Sequence, residues 1–134
     1  MKINSLVALA AVVVVAVPVY AHHAFDAEYS RDKTITVTGS VKKLEWMNPH
    51  ARLYVEGPDE TGKVQVQVWD FELGPPNGLM RRGWNRNSLR EGHKVTVSGF
   101  RSKTQGHVAN ARTVTLADGR QVFAGSSFDP GPTQ

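Results

Sequence analysis

Residues Ile35-Thr36-Val37-Thr38-Gly39-Ser40-Val41 alternate apolar and polar with period two, and the alternation then slips by one position. A period of two marks a strand with one face buried. Ile35, Val37 and Val41 are odd-numbered whereas Leu44 and Trp46 are even-numbered, so a regular strand would turn one half of this set toward water. A β-bulge near Lys42-Lys43, with Gly39 as a bend, reconciles the two halves. The segment therefore predicts a long, bent first strand of the kind that suits a small barrel.

The rest of the chain repeats the pattern in shorter pieces. Residues 51–56 form a second strand, with Ala51, Leu53 and Val55 on one face and Arg52, Tyr54 and Glu56 on the other. Gly57-Pro58-Asp59-Glu60-Thr61-Gly62 is a hairpin loop. A third strand follows, in which Val64, Val66 and Val68 face the core and Gln65, Gln67 and Trp69 face water. Between Gly74 and Gly92 the alternation stops. Pro75-Pro76 suits the first turn of a short helix through Leu79, Met80 and Arg82, closed by Gly83. Residues 95–100 and 109–116 are further strands, and Ala117-Asp118-Gly119-Arg120 is a tight hairpin returning along residues 121–123. Three strands, a helical connection and two or three more strands give a mainly β fold, a five- to six-stranded OB-like barrel. A small β-sandwich is the competing architecture.

The N-terminus predicts export. Lys2 precedes an unbroken apolar run, Leu6 to Val17, which Pro18 ends, and Val19-Tyr20-Ala21 offers a small-residue cleavage site. The run is shorter than the roughly 20 residues of a membrane-spanning helix, so no transmembrane segment is expected after cleavage. The expected division is a signal peptide over 1–21, a leader over 22–33, the β domain over 34–124 and a Gly/Ser/Pro-rich flexible tail over 125–134. The expected location is the periplasm, or otherwise outside the cytoplasm. The chain has no cysteine, which rules out disulfides, thiolate catalysis and thiolate metal sites. Its net charge of +4, one unit of which leaves with Lys2, permits an acidic partner without demanding one.

Cleavage after Ala21 would create the sharpest chemical feature. The mature chain would begin His22-His23, and a free α-amine with the imidazole of the same residue can close a chelate ring on copper or zinc. One more imidazole would complete a T-shaped site. His50 is the preferred third ligand, His93 and His107 are the other imidazoles, and Glu45, Asp70 and Glu72 are possible oxygen donors. Trp46-Met47-Asn48-Pro49-His50 forms a turn that would set His50 at a strand start beside Trp46, as a binding residue or as a capping turn with Trp46 packed over the barrel end. Arg81, Arg82, Arg86 and Arg90 with Trp84 form a basic segment able to grip anions or to cover the barrel as a solvated helix. Tyr54, Trp69 and Phe71 beside Arg52 would be the stacking face for a single-stranded nucleic acid, a partner that export and the modest charge argue against. No phosphate loop, nucleophile elbow or zinc-protease motif occurs, so no catalytic residue is assigned.

Several segments resemble a family of small exported bacterial proteins known only as a domain of unknown function. They are Ala21-His22-His23-Ala24-Phe25, Trp46-x-Asn48-Pro49-His50-Ala51 and Pro76-Asn77-Gly78-Leu79-Met80-Arg81-Arg82-Gly83-Trp84, with Ala109-Asn110-Ala111-Arg112 and Leu116 to Gly125. The resemblance implies an exported single domain and carries over no activity. A looser likeness, in strand order alone, is to periplasmic OB-fold binding modules. The expected function is a non-enzymatic exported binding module whose ligand is a transition metal. The alternatives are an envelope-protein scaffold using the 81–90 segment, and a binder of anions or single strands.

Overall fold

A computed structural model of the chain describes residues 24–125. A helical turn, α1 (24–28), leads directly into the long first strand, β1 (Tyr29–Glu45). Then come β2 (Arg52–Gly57), β3 (Gln67–Glu72), the short helix α2 (Pro76–Arg81), β4 (Lys94–Ser102), β5 (Val108–Leu116) and β6 (Gln121–Phe123). The expected signal peptide, His22, His23 and the tail beyond Gly125 lie outside the described residues.

All six strands belong to one sheet in the order β3-β2-β1-β4-β5-β6, antiparallel along that row. A parallel pairing of β3 with β5, Asp70 opposite Val108 and Glu72 opposite Asn110, joins the row into a ring. A single sheet meeting itself is not the pair of facing sheets that a sandwich requires. Among the described residues no helix is long and apolar enough to cross a membrane.

The register of β1 against β2 shifts between Val41 and Lys43, where the phase of the sequence slips. The bulge lets Val41 and Leu44 both lean on the interior, although their parities differ. Gly39 is the site of a close approach: a β-carbon there would stand 2.1 Å from the carbonyl oxygen of Glu56. Gly99 does the same on β4, 2.0 Å from the carbonyl oxygen of Asn110, beside a second shift in register. Both positions need the missing side chain so that the strands can close up.

The interior of the ring holds Val37, Val41, Leu53, Val55, Trp69, Phe71, Val97 and Val114. The connection after β3 adds Leu79, Trp84 and Leu89 to the same core. Pro76 opens α2 and Gly83, at φ +89°, ends it, as the sequence predicts. Two features differ from the sequence expectation. β1 begins at Tyr29, inside the segment expected to be a leader. The third strand has the opposite face inward: Trp69 and Phe71 are fully buried, while Val64, Val66 and Val68 are exposed. An aromatic ring buries more apolar area than a valine, so the two aromatics take the interior and the valines are left outside. The stacking face expected from Tyr54, Trp69 and Phe71 is therefore absent, because two of its three rings are core.

Candidate functional site

Glu72 ends β3, flanked in register by Arg52 on β2 and Asn110 on β5. Its chain neighbours, Phe71 on the strand and Leu73 just after it, are core residues, so Glu72 points outward. Yet it is largely covered, and Asn110 beside it is wholly buried. The cover comes from a second apolar cluster of Phe25, Tyr29, Phe100 and Val108. Phe25 of α1 packs against Tyr29 and meets Phe100 edge-on, with ring centroids 5.3 and 6.0 Å apart. The backbone N–H of Lys103 donates to the carbonyl of Glu28 at 2.9 Å and fastens the end of α1 to the β4–β5 loop.

Under this cover, four side chains converge on one carboxylate. The Tyr29 hydroxyl donates to Glu72 Oε2 at 3.2 Å, and Asn110 Nδ2 donates to Oε1 at 3.3 Å. Arg52 Nη1 lies 3.6 Å from Oε2 while its Nε and Nη2 grip Asp70 at 2.8 and 2.9 Å. His50 Nδ1 lies 3.0 Å from Oε1. His50 is held there because backbone bonds on both sides of Ala51, to Leu73 and Gly74, tie the start of β2 to the end of β3. Asn110 Oδ1 is buried and finds no donor among the described residues.

The electrostatics follow from this packing. Burial pushes the Glu72 carboxyl up, but the His50 hydrogen bond and charge, with Tyr29 and Arg52, outweigh it and hold the group below the usual range. The Glu72 hydrogen bond raises His50 against the opposing effect of burial. Burial, then the charges of Glu72 and Glu28, push the Tyr29 phenol upward, so it remains a donor. An ionised carboxylate only accepts, so Nδ1 of His50 carries the proton and Nε2 of the neutral ring holds a lone pair. Among the described residues nothing bonds Nε2, and the His50 side chain is 35% exposed.

The pair predicts a pH window. Glu72, depressed, stabilises the fold above its unfolded value near 4.5 and loses this as pH falls through its lower folded value. His50, raised, stabilises below its unfolded value near 6.5 and loses this as pH rises through its higher folded value. The contribution is fully present between those two values. Urea unfolding should give wild type up to about 1 kcal/mol more stability relative to His50→Gln at pH 5.5 than at pH 8.5, the scale of a partly exposed pair. An equal difference at both pH values would remove the ion pair from the account.

The other expected site residues are dispersed. Trp46 is half-buried against the core. Glu45 is taken by Lys43 and by the Tyr54 hydroxyl, and Asp70 by Arg52. His93 Nδ1 accepts from the backbone of Arg90 at 3.3 Å, and the His107 ring stands edge-on to Trp69 at 5.2 Å. Arg81 is exposed; Arg82 lies over Phe123 at 4.3 Å and donates to the Gly125 carbonyl; Trp84 is buried with its indole N–H on the Phe123 carbonyl. Among the described residues no three His, Asp or Glu side chains form a ready-made metal cluster. Tyr29, Arg52 and Asn110 belong to the Glu72 network without having been singled out for it. Nothing local could reveal them, since Tyr29 and Glu72 are 43 residues apart.

A family model matches residues 9–110. The chain belongs to the DUF6152 family, a family of unknown function. No curated protein and no solved structure matches it. The DUF6152 match takes in His22-His23, Asn48 to His50 and Pro76 to Trp84, and it ends inside β5 at Asn110. A function for this DUF6152 chain must therefore be argued from its own side chains.

Proposed function

We propose that the protein is an exported, non-enzymatic binding module on a small OB-like barrel, and that it holds a transition-metal ion, copper foremost, between its mature N-terminus and His50. The barrel reading is supported by the ring β1-β2-β3-β5-β4 with its helical connection between β3 and β4. Export is supported by the tripartite N-terminal sequence.

The observation that carries the metal reading is the His50–Glu72 pair. A histidine that ligates a metal nearly always donates its other ring N–H to a carboxylate or carbonyl, which fixes the tautomer and aims the ring. His50 is arranged in this way, with Nδ1 on Glu72 and Nε2 open. The same carboxylate is bonded by Tyr29, against which Phe25 packs. His22 is three residues before Phe25, a covalent reach on the order of 10 Å. An α-amine, the His22 imidazole and His50 Nε2 would give the three nitrogens that suit Cu(II), with His23 alongside.

The test is a copper titration of protein matured through its own export route, because an initiating Met would block the amine. One Cu(II) per chain is expected, with affinity falling in both His22→Ala and His50→Ala by more than the roughly 10- to 100-fold that losing an outer-shell partner costs. A mature start other than His22, or unchanged affinity in His50→Ala, would sink the reading. A scaffold role has the exposed Arg81, Arg86 and Arg90 in its favour. A partner that survives chelation and is lost on charge reversal of Arg81 and Arg82 would support that role instead.

A further inference from the structure

On the far side of the 76–92 connection, two adjoining cavities of about 230 and 300 Å³ lie between this connection and the β5–β6 hairpin. They share Ser88, Leu89, Leu116 and Arg120, so they form one groove, of the size that small-molecule sites occupy, about 300–1,000 Å³. Its apolar lining comes from Trp84, Leu89, Leu116 and Val122. Its charged lining is Arg82 and Arg120 in one cavity, and Arg120 with His93, Lys94 and Asp118 in the other.

The charge balance favours an anion. Asp118 is the one acid in the lining and is engaged by Arg120 at 2.7 Å. Lys94 Nζ is on the neutral Ser40 hydroxyl at 2.5 Å. Arg82 is held in place rather than neutralised: its ring stacking and its bond to the Gly125 carbonyl fix the guanidinium, and among the described residues no carboxylate reaches it. A positioned guanidinium with spare N–H donors is the group that binds a carboxylate bidentately. The Trp84 indole N–H is already spent on Phe123, so the ring offers the groove only apolar surface.

We infer that this groove is a second binding site, independent of the metal site, for a small amphiphilic carboxylate of the medium-chain fatty-acid class. The acid would sit on Arg82 and Arg120, and the hydrocarbon along the apolar lining, in which Leu116 and Val122 are half-buried and Trp84 and Leu89 nearly fully buried. Charge complementarity selects the head, and the apolar floor selects the tail.

The experiment is a titration of the exported full chain with octanoate and, separately, with octanol, followed by amide and indole NMR shifts. Octanoate up to about 10 mM should give saturable shifts, including the Trp84 indole, confined to residues 82–94 and 116–122; this range reveals affinities near 1 mM. Arg120→Gln, a change at an exposed position that spares the core, and Arg82→Gln should each weaken octanoate about 10-fold and leave octanol unmoved. The inference is overturned if octanoate produces no saturable shift there, if octanol binds as well, or if neither variant weakens binding. It is also overturned if cross-peaks seat residues 126–134 in the groove, which would make it a dock for the chain's own end.

Discussion

Glu72→Ala should lower the unfolding free energy by about 3–4 kcal/mol, read as a drop in the urea midpoint at unchanged slope. The change removes the acceptor of a buried tyrosine hydroxyl and of a buried asparagine amide, and the counter-charge of His50. An orphaned buried polar group costs about 1–3 kcal/mol, and the Tyr29 hydroxyl and Asn110 Nδ2 are two such groups. Asn110 Oδ1 already lacks a donor, so losing the acceptor of Nδ2 would leave both ends of this buried amide unpaired. Arg52 is spared because Asp70 holds it from two nitrogens. Glu72→Gln keeps the volume and one acceptor oxygen, and should cost half as much or less. A midpoint equal to wild type in Glu72→Ala would show that the network contributes nothing to the fold. The same Glu72→Gln chain separates structure from function: near-normal stability with copper affinity 10- to 100-fold lower is the result expected of a carboxylate that orients a metal ligand.

What the sequence reveals here is what local physics decides. The phase slip after Val41 foretells the bulge, Asp118-Gly119 the last hairpin, and Pro75-Pro76 with Gly83 the helix between them. Each depends on residues within a few positions of one another. The failures are those in which distant residues decide. Tyr29 joins β1 because residues around Arg101 and Ser102 pair with it, and no pattern in 22–33 announces that partner. For the site, His50 was visible as an imidazole at a strand start, but Glu72 appeared only as one of three possible carboxylates. Strand pairing chose among them: β1 against β2 gave Glu45 to Lys43 and Tyr54, and β2 against β3 gave Asp70 to Arg52. Arg82 and Trp84, adjacent in the basic segment, do line one groove, whereas Arg81, equally prominent in the sequence, is exposed and lines neither cavity.

Trp69→Ala should cost about 3–5 kcal/mol, whereas Val66→Thr should stay within about 0.5 kcal/mol of wild type. The pair of substitutions tests which face of β3 is inside. Alternation by itself allowed either answer, since Val64, Val66 and Val68 form as clean an apolar row as Trp69 and Phe71. Trp69 is fully buried, stacks on Phe71 with centroids 6.2 Å apart, and donates its indole N–H to the Pro58 carbonyl at 2.9 Å. Truncation would empty the largest of the fully buried side chains and orphan that carbonyl together. Val66, at 68% exposed, precedes the start of β3 and has little burial to lose. The inverse result, a stable Trp69→Ala beside a crippled Val66→Thr, would flip β3 by one residue. Glu72 would then turn inward, and the bonds joining it to Tyr29, His50 and Asn110 could not form, so the metal reading would fall with the register.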